Sequence, residues 1–278
     1  MLLSAFYKLP ELLTADLSAH ANYESYLVNL YSMAILTELN SYNIPNPIEL
    51  IALEKPYSNS PRNKVDLMVN FRDAFSLNII EAYGLKPCNW IEVKYYSDLS
   101  RRTNKNMKGK ASRVGALLND IFRLCLYIAE EQGKHRNNGR LLLLVFNEEP
   151  QKYLAFSRKK IAVNRDWLSQ LLDYKRPGLK SLSINLVDEV RSVTERILKG
   201  IKNIEISFKC AVNSFYPLGP TAINTKFIGF LINIFEYKIK YNGYEFDYDA
   251  FSKTGWSAEM IENSKSLVKQ LERVDEGI

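Results

Sequence analysis

The chain has 278 residues, 46% hydrophobic and 24% charged, with 37 Lys and Arg against 31 Asp and Glu. Those proportions belong to an ordinary globular protein and exclude a chain that is mainly disordered, collagenous or coiled coil; the length fits one large domain or two modest ones. Three scattered cysteines (Cys88, Cys125, Cys210) and two distant histidines (His20, His135) exclude a disulfide scaffold, a structural zinc cluster and a c-type haem. A reducing, cytoplasmic compartment suits that cysteine usage. The opening MLLSAFYKLPELLTADL lacks the layout of a signal peptide. The longest apolar stretch, Phe227 to Phe235, is less than half of the roughly 20 residues a membrane span needs. No membrane partner is expected.

In chain order, residues 21–40 place Leu27, Leu30, Tyr31, Ala34, Ile35 and Leu39 at helical spacing, which predicts an amphipathic helix ending near Asn43. KVDLMVN (64–70) alternates as a strand. FSLNIIEAYGL is either a short helix or a strand. NWIEVKYY then alternates again, with Ile91, Val93 and Tyr95 on one face and Glu92, Lys94 and Tyr96 on the other. A polar, basic loop leads into a second helix, about Lys110 to Gln132, whose apolar stripe (Val114, Leu117, Leu118, Ile121, Leu124, Cys125, Ile128) opposes Arg113, Asp120 and Arg123. LLLLVF (141–146) reads as a strand buried on both faces. A helix followed by such a strand is the wiring of a parallel crossover.

The second half is less regular. Residues 165–174 and 187–202 read as helical, and 204–212 as a strand; 227–235 is apolar on every face, so periodicity does not separate strand from buried helix there. Asn242-Gly243 is the favoured pair for a type I′ hairpin turn. The register it sets places Lys240 opposite Glu245 and Lys238 opposite Asp247, beside the ring face Tyr237, Ile239, Tyr241, Tyr244, Phe246 and Tyr248. Residues 256–274 read as a surface helix.

The excess charge is local. From Lys94 to Arg113 there are seven cations (Lys94, Arg101, Arg102, Lys105, Lys108, Lys110, Arg113) and one anion, Asp98, which equals the net charge of +6 of the whole chain. Clustered Lys and Arg bind polyanions by releasing counterions from a phosphate backbone. Immediately upstream stand Asp66 and Glu92-Val93-Lys94. Two carboxylates at one sheet end make a hard-oxygen site suited to Mg²⁺, and Lys94, two residues after Glu92 and so on the same face, would orient or deprotonate an attacking water.

This arrangement resembles the PD-(D/E)xK nuclease superfamily, whose fold is restriction-endonuclease-like. Val65-Asp66 stands for its first motif and Glu92-Val93-Lys94 for its second, with an upstream helix carrying a glutamate, Glu24. The resemblance covers about residues 15–150 and implies an α-β-β-β-α-β core. Asp66, Glu92 and the Val93 carbonyl would bind Mg²⁺, Lys94 would serve the water, and Glu24 would be an accessory ligand. Asp66 lacks the family's preceding proline. The long interval between Asp66 and Glu92 leaves Asp73 and Glu81 as alternative ligands, and Glu38 is the reserve for Glu24.

The implied architecture is α/β, a mixed central sheet flanked by helices. Residues 1–150 would form the nuclease core, and 151–278 an α+β elaboration for sheet completion, DNA recognition or dimerisation. The implied activity is Mg²⁺-dependent cleavage of DNA, most naturally double-stranded, of restriction or host-defence type. A homodimer and a partner methyltransferase would fit. Arg101, Arg102, Lys105, Lys108, Lys110 and Arg113 would contact phosphates. A structure-reading repair or recombination nuclease, RNA cleavage, and a non-catalytic nucleic-acid-binding module stay open on the residues alone.

Overall fold

A computed structural model describes residues 1–15, 24–72, 74–82, 85–97, 109–128, 138–156, 165–186, 189, 193, 203–217, 226–246 and 256–276. The helices are α1 (Leu2–Ala15), α2 (Glu24–Ser41), α3 (Leu77–Ala82), α4 (Lys110–Leu126), α5 (Asp166–Leu171) and α6 (Ala258–Glu276). The strands are β1 (Ile51–Tyr57), β2 (Ser60–Asn70), β3 (Cys88–Tyr96), β4 (Asn138–Phe146), β5 (Gly178–Asn185), β6 (Ile204–Phe215), β7 (Ile228–Tyr241) and β8 (Tyr244–Glu245). The architecture is α/β: one mixed, eight-stranded sheet in the order β1-β2-β3-β4-β7-β6-β5, with β8 paired to β7 and helices on both faces.

Alternation along the central strands builds two cores. Leu141, Leu143 and Val145 of β4 join Ile91 and Val93 of β3 in packing on α1 and α2. Leu142, Leu144 and Phe146 face the other way, with Trp90 and Tyr96, against α4, α5 and α6. All nine residues of β4 are buried, as expected of a strand covered on both sides. Among the described strands, β3 and β4 form the one parallel pair, and α4 lies on the connection between them. The chain from α2 to β4 thus runs helix, two antiparallel strands, the short helix α3, a third strand antiparallel to the second, helix, strand.

Of residues 227–235, ambiguous by periodicity, 228–235 begin β7, which lies between β4 and β6. The Asn242-Gly243 turn forms with φ of 50° and 85°, both left-handed as a type I′ turn requires. Lys240 pairs with Glu245 across it; Asp247 and Tyr248 lie outside the described residues. Three elements were not anticipated. Helix α1 carries Pro10, β1 carries Pro56 among charged neighbours, and β5 exposes Leu179 at the sheet edge. Edge strands tolerate proline and polar residues because one side needs no ladder partner. The helix expected over 187–202 falls almost wholly outside the described residues. Of 151–278, every described strand belongs to this same sheet. None of the described helices is long and apolar enough to cross a membrane.

Candidate active site at the parting of two strands

β2 and β3 pair over only four positions, from Asn70↔Cys88 to Leu67↔Ile91. Beyond Leu67 and Ile91 they part: β2 continues with β1 to Ser60, and β3 with β4 to Tyr96. Asp66 and Glu92 are the next residue on each strand, so both carboxylates sit at the mouth of the fork. Asp66 Oδ2 accepts the Val93 amide hydrogen at 2.7 Å, standing where a β2 carbonyl would have continued the ladder. Asp66 thus faces the Glu92-Val93-Lys94 segment across the opening of the fork.

Glu24, the first residue of α2, reaches the same place and pairs with Lys94 Nζ. The ammonium also donates to the Val93 carbonyl at 3.0 Å and lies 3.3 Å from Asp120 Oδ2 on α4. Asp120 Oδ1 lies 3.5 Å from Arg123 one turn on, and Arg123 lies 3.3 Å from Glu92 Oε1. The Tyr57 hydroxyl donates to that same Glu92 oxygen. Tyr57 arrives through a register shift between Pro56 and Tyr57, the kind of bulge that re-aims a side chain beside a site.

Sequence reading missed Tyr57, Asp120 and Arg123. The helical stripe assigned Asp120 and Arg123 to solvent, yet Asp120 is only 3% exposed. The β1–β2 hairpin covers that side of α4: the Asn59 amide donates to the Tyr127 carbonyl at 2.9 Å, and Arg123 donates to the Lys64 carbonyl. The available signal was Asp120-x-x-Arg123, an acid–base pair on one helical face.

Four carboxylates (Glu24, Asp66, Glu92, Asp120) meet two cations (Lys94, Arg123), leaving two formal negative charges in a largely buried space. Burial, reinforced by the charge of Asp120, holds the Glu92 carboxyl well above the usual range. Burial likewise raises Asp120, against the pull of Lys94 and Arg123. For Lys94 burial works against the charge, but Asp120, Glu24, Glu92 and Asp66 outweigh it and hold the ammonium charged well above the ordinary lysine value.

Glu92 Oε2 is buried and has no hydrogen-bond partner among the described residues. A buried carboxylate oxygen left bare is costly unless something cationic or a proton meets it. Among the described residues, no three His, Cys, Asp or Glu side chains are arranged to hold a metal by themselves. Mg²⁺ does not demand three: one or two carboxylates suffice, with waters and substrate phosphate completing six oxygens. Asp66, Glu92 and the Val93 carbonyl are oxygen donors of the kind such an ion takes.

Other candidates lie elsewhere. Glu38 is buried against α1, paired with Lys8 at 2.5 Å, and about 21 Å along α2 from Glu24. The connection bearing α3 and Glu81 leaves the opposite end of the β2–β3 pair, and Asp73 lies outside the described residues. So do His20, His135, Arg101, Arg102, Lys105 and Lys108. Of the basic stretch, Lys110 donates to the Gln151 carbonyl at 2.7 Å and Arg113 lies 5.7 Å over the Tyr153 ring. Cys125 is packed in the core. Comparison with known proteins adds no relative: no family model, no curated protein and no solved structure matches the chain.

Proposed function

We propose that this chain is a Mg²⁺-dependent nuclease of the PD-(D/E)xK kind, with a restriction-endonuclease-like core, hydrolysing phosphodiester bonds of DNA. The observation that carries the reading is the hydrogen bond from the Val93 amide to Asp66 at the strand fork. It ties the first motif to the backbone of the residue between Glu92 and Lys94. The order of elements from α2 to β4 supports the same reading. So does Glu24 meeting Lys94.

In this proposal Asp66, Glu92 and the Val93 carbonyl hold the ion. When bound, a divalent ion supplies Lewis acidity and a water of lowered pKa. Lys94 would orient or deprotonate the attacking water and offset the charge that develops on the phosphate. Glu24 and Asp120 fix where that ammonium sits. A polyanionic substrate follows from the basic stretch after Lys94; that it is duplex DNA follows from the resemblance. Restriction or host defence, a homodimer for double-strand cleavage, and a companion methyltransferase follow from the resemblance.

The test is cleavage of supercoiled plasmid with Mg²⁺, with EDTA, and with Glu92→Ala and Lys94→Ala beside the wild type. Metal-dependent cleavage lost in both variants is expected, with matched RNA left intact. Binding of DNA that weakens steeply with salt, without cleavage of any nucleic acid, would replace the enzyme with a binding module.

A further inference from the structure

We infer that Tyr57 and Arg123 are positioning residues for Glu92: together they hold Oε1 and leave Oε2 as the oxygen offered to a divalent cation. The inference rests on the nuclease reading above and adds the device that orients its central carboxylate.

The two contacts converge on one atom. The Tyr57 hydroxyl donates to Oε1, and the Arg123 guanidinium stands 3.3 Å from it. Oε2, on the same carboxylate, is buried and bare among the described residues. A carboxylate free to rotate about its last torsion exchanges its two oxygens; one clamped through Oε1 does not. The clamp is itself held. The Arg123 guanidinium carbon lies 5.2 Å over the Tyr57 ring, its nitrogens reach Asp120 at 3.5 Å and the Lys64 carbonyl, and the Tyr57 ring stacks on Trp90 at 5.5 Å. Tyr57 is 2% exposed. Groups that orient a metal-binding carboxylate without touching the metal commonly change affinity by about 10- to 100-fold when removed.

Both residues come from elements outside the two-motif pattern, β1 and α4, so they join the hairpin and the helix to the fork between β2 and β3. A role in packing alone would predict that Tyr57→Phe, which keeps the ring and its stack on Trp90, changes nothing at the fork.

The test uses the full chain and Mn²⁺ as the only probe, with bound ion read from the loss of the free Mn²⁺ electron paramagnetic resonance signal. Wild type is expected to bind in a manner abolished by Glu92→Ala. Tyr57→Phe, with unchanged circular dichroism, is expected to weaken binding about tenfold. Arg123→Gln is expected to weaken it at least as much, and Arg123→Lys to restore most of that loss. A dissociation constant for Tyr57→Phe within twofold of wild type would overturn the positioning role while leaving the nuclease reading standing. Absence of any Glu92-dependent Mn²⁺ binding in the wild type would overturn both.

Discussion

Replacing Lys94 by methionine is expected to cost about 3 kcal/mol of stability at pH 7 in the absence of divalent ions, and to remove cleavage activity by about 10³-fold. The side chain is matched in length, so the change isolates the ammonium. Lys94 is the partner of Glu24 and Asp120, and breaking a buried pair costs about 3–5 kcal/mol because the remaining charge is stranded. Glu24 is 44% exposed and is partly rehydrated, which places the expected loss at the low end. Because the folded protein holds the Lys94 proton more tightly than the unfolded chain does, its contribution is complete below the unfolded lysine value of 10.5. It would fade only as pH rises through the higher folded value. The deficit in Lys94→Met should shrink on acidification, as the stranded carboxylates take up protons. Urea unfolding at pH 7 and pH 5 measures both terms; equal stability of the two proteins at pH 7 would remove the electrostatic account of the cluster.

Glu92→Gln is expected to do the opposite to stability while also abolishing cleavage. Burial and Asp120 raise the Glu92 carboxyl, so the folded state binds its proton more tightly than the unfolded state. Stability therefore falls as pH rises through the window that opens at the ordinary value of 4.5. Glutamine keeps an acceptor for the Tyr57 hydroxyl and removes the charge. The metal-free variant should gain about 1 kcal/mol at pH 7, or about 2–4 °C in melting temperature. The gain should vanish near pH 4, where both side chains are neutral. Added Mg²⁺ should stabilise the wild type and leave the variant unchanged, so the order of melting temperatures reverses. Calorimetry at two pH values with and without Mg²⁺ decides it, and a variant less stable than wild type at every pH would sink the idea.

The legible part of this fold is the part whose pattern had one meaning. β3 and β4 alternate or run apolar without interruption, α4 keeps its stripe, and Asn242-Gly243 admits few turns. β1 and β5 escaped because an edge strand needs only one satisfied side, so Pro56 and the Lys180, Ser181 and Ser183 series carry no penalty there. The site divides the same way. Spacing on one strand brought out Glu92 and Lys94, and alternation on the next brought out Asp66. Asp120 and Arg123 were hidden by the rule that charges opposite an apolar stripe face water, which fails where a hairpin folds over the helix. Tyr57 was hidden twice, in an unanticipated strand and behind a bulge.

The position of β4 has a consequence for how the chain is made. Its neighbours in the sheet are β3, which precedes it, and β7, which is synthesised more than eighty residues later. Until residues 228–241 emerge, a nine-residue strand of NGRLLLLVF composition stands with one row of amides and carbonyls unpaired. Such an apolar edge is a template for association with other nascent chains. A fragment ending near residue 150, though it holds the whole proposed catalytic set, is therefore expected to be recovered as aggregate rather than as a small nuclease. Its yield of soluble monomer beside that of the full chain gives the comparison. The last third of the sequence would then act during synthesis as an intramolecular chaperone for the first half.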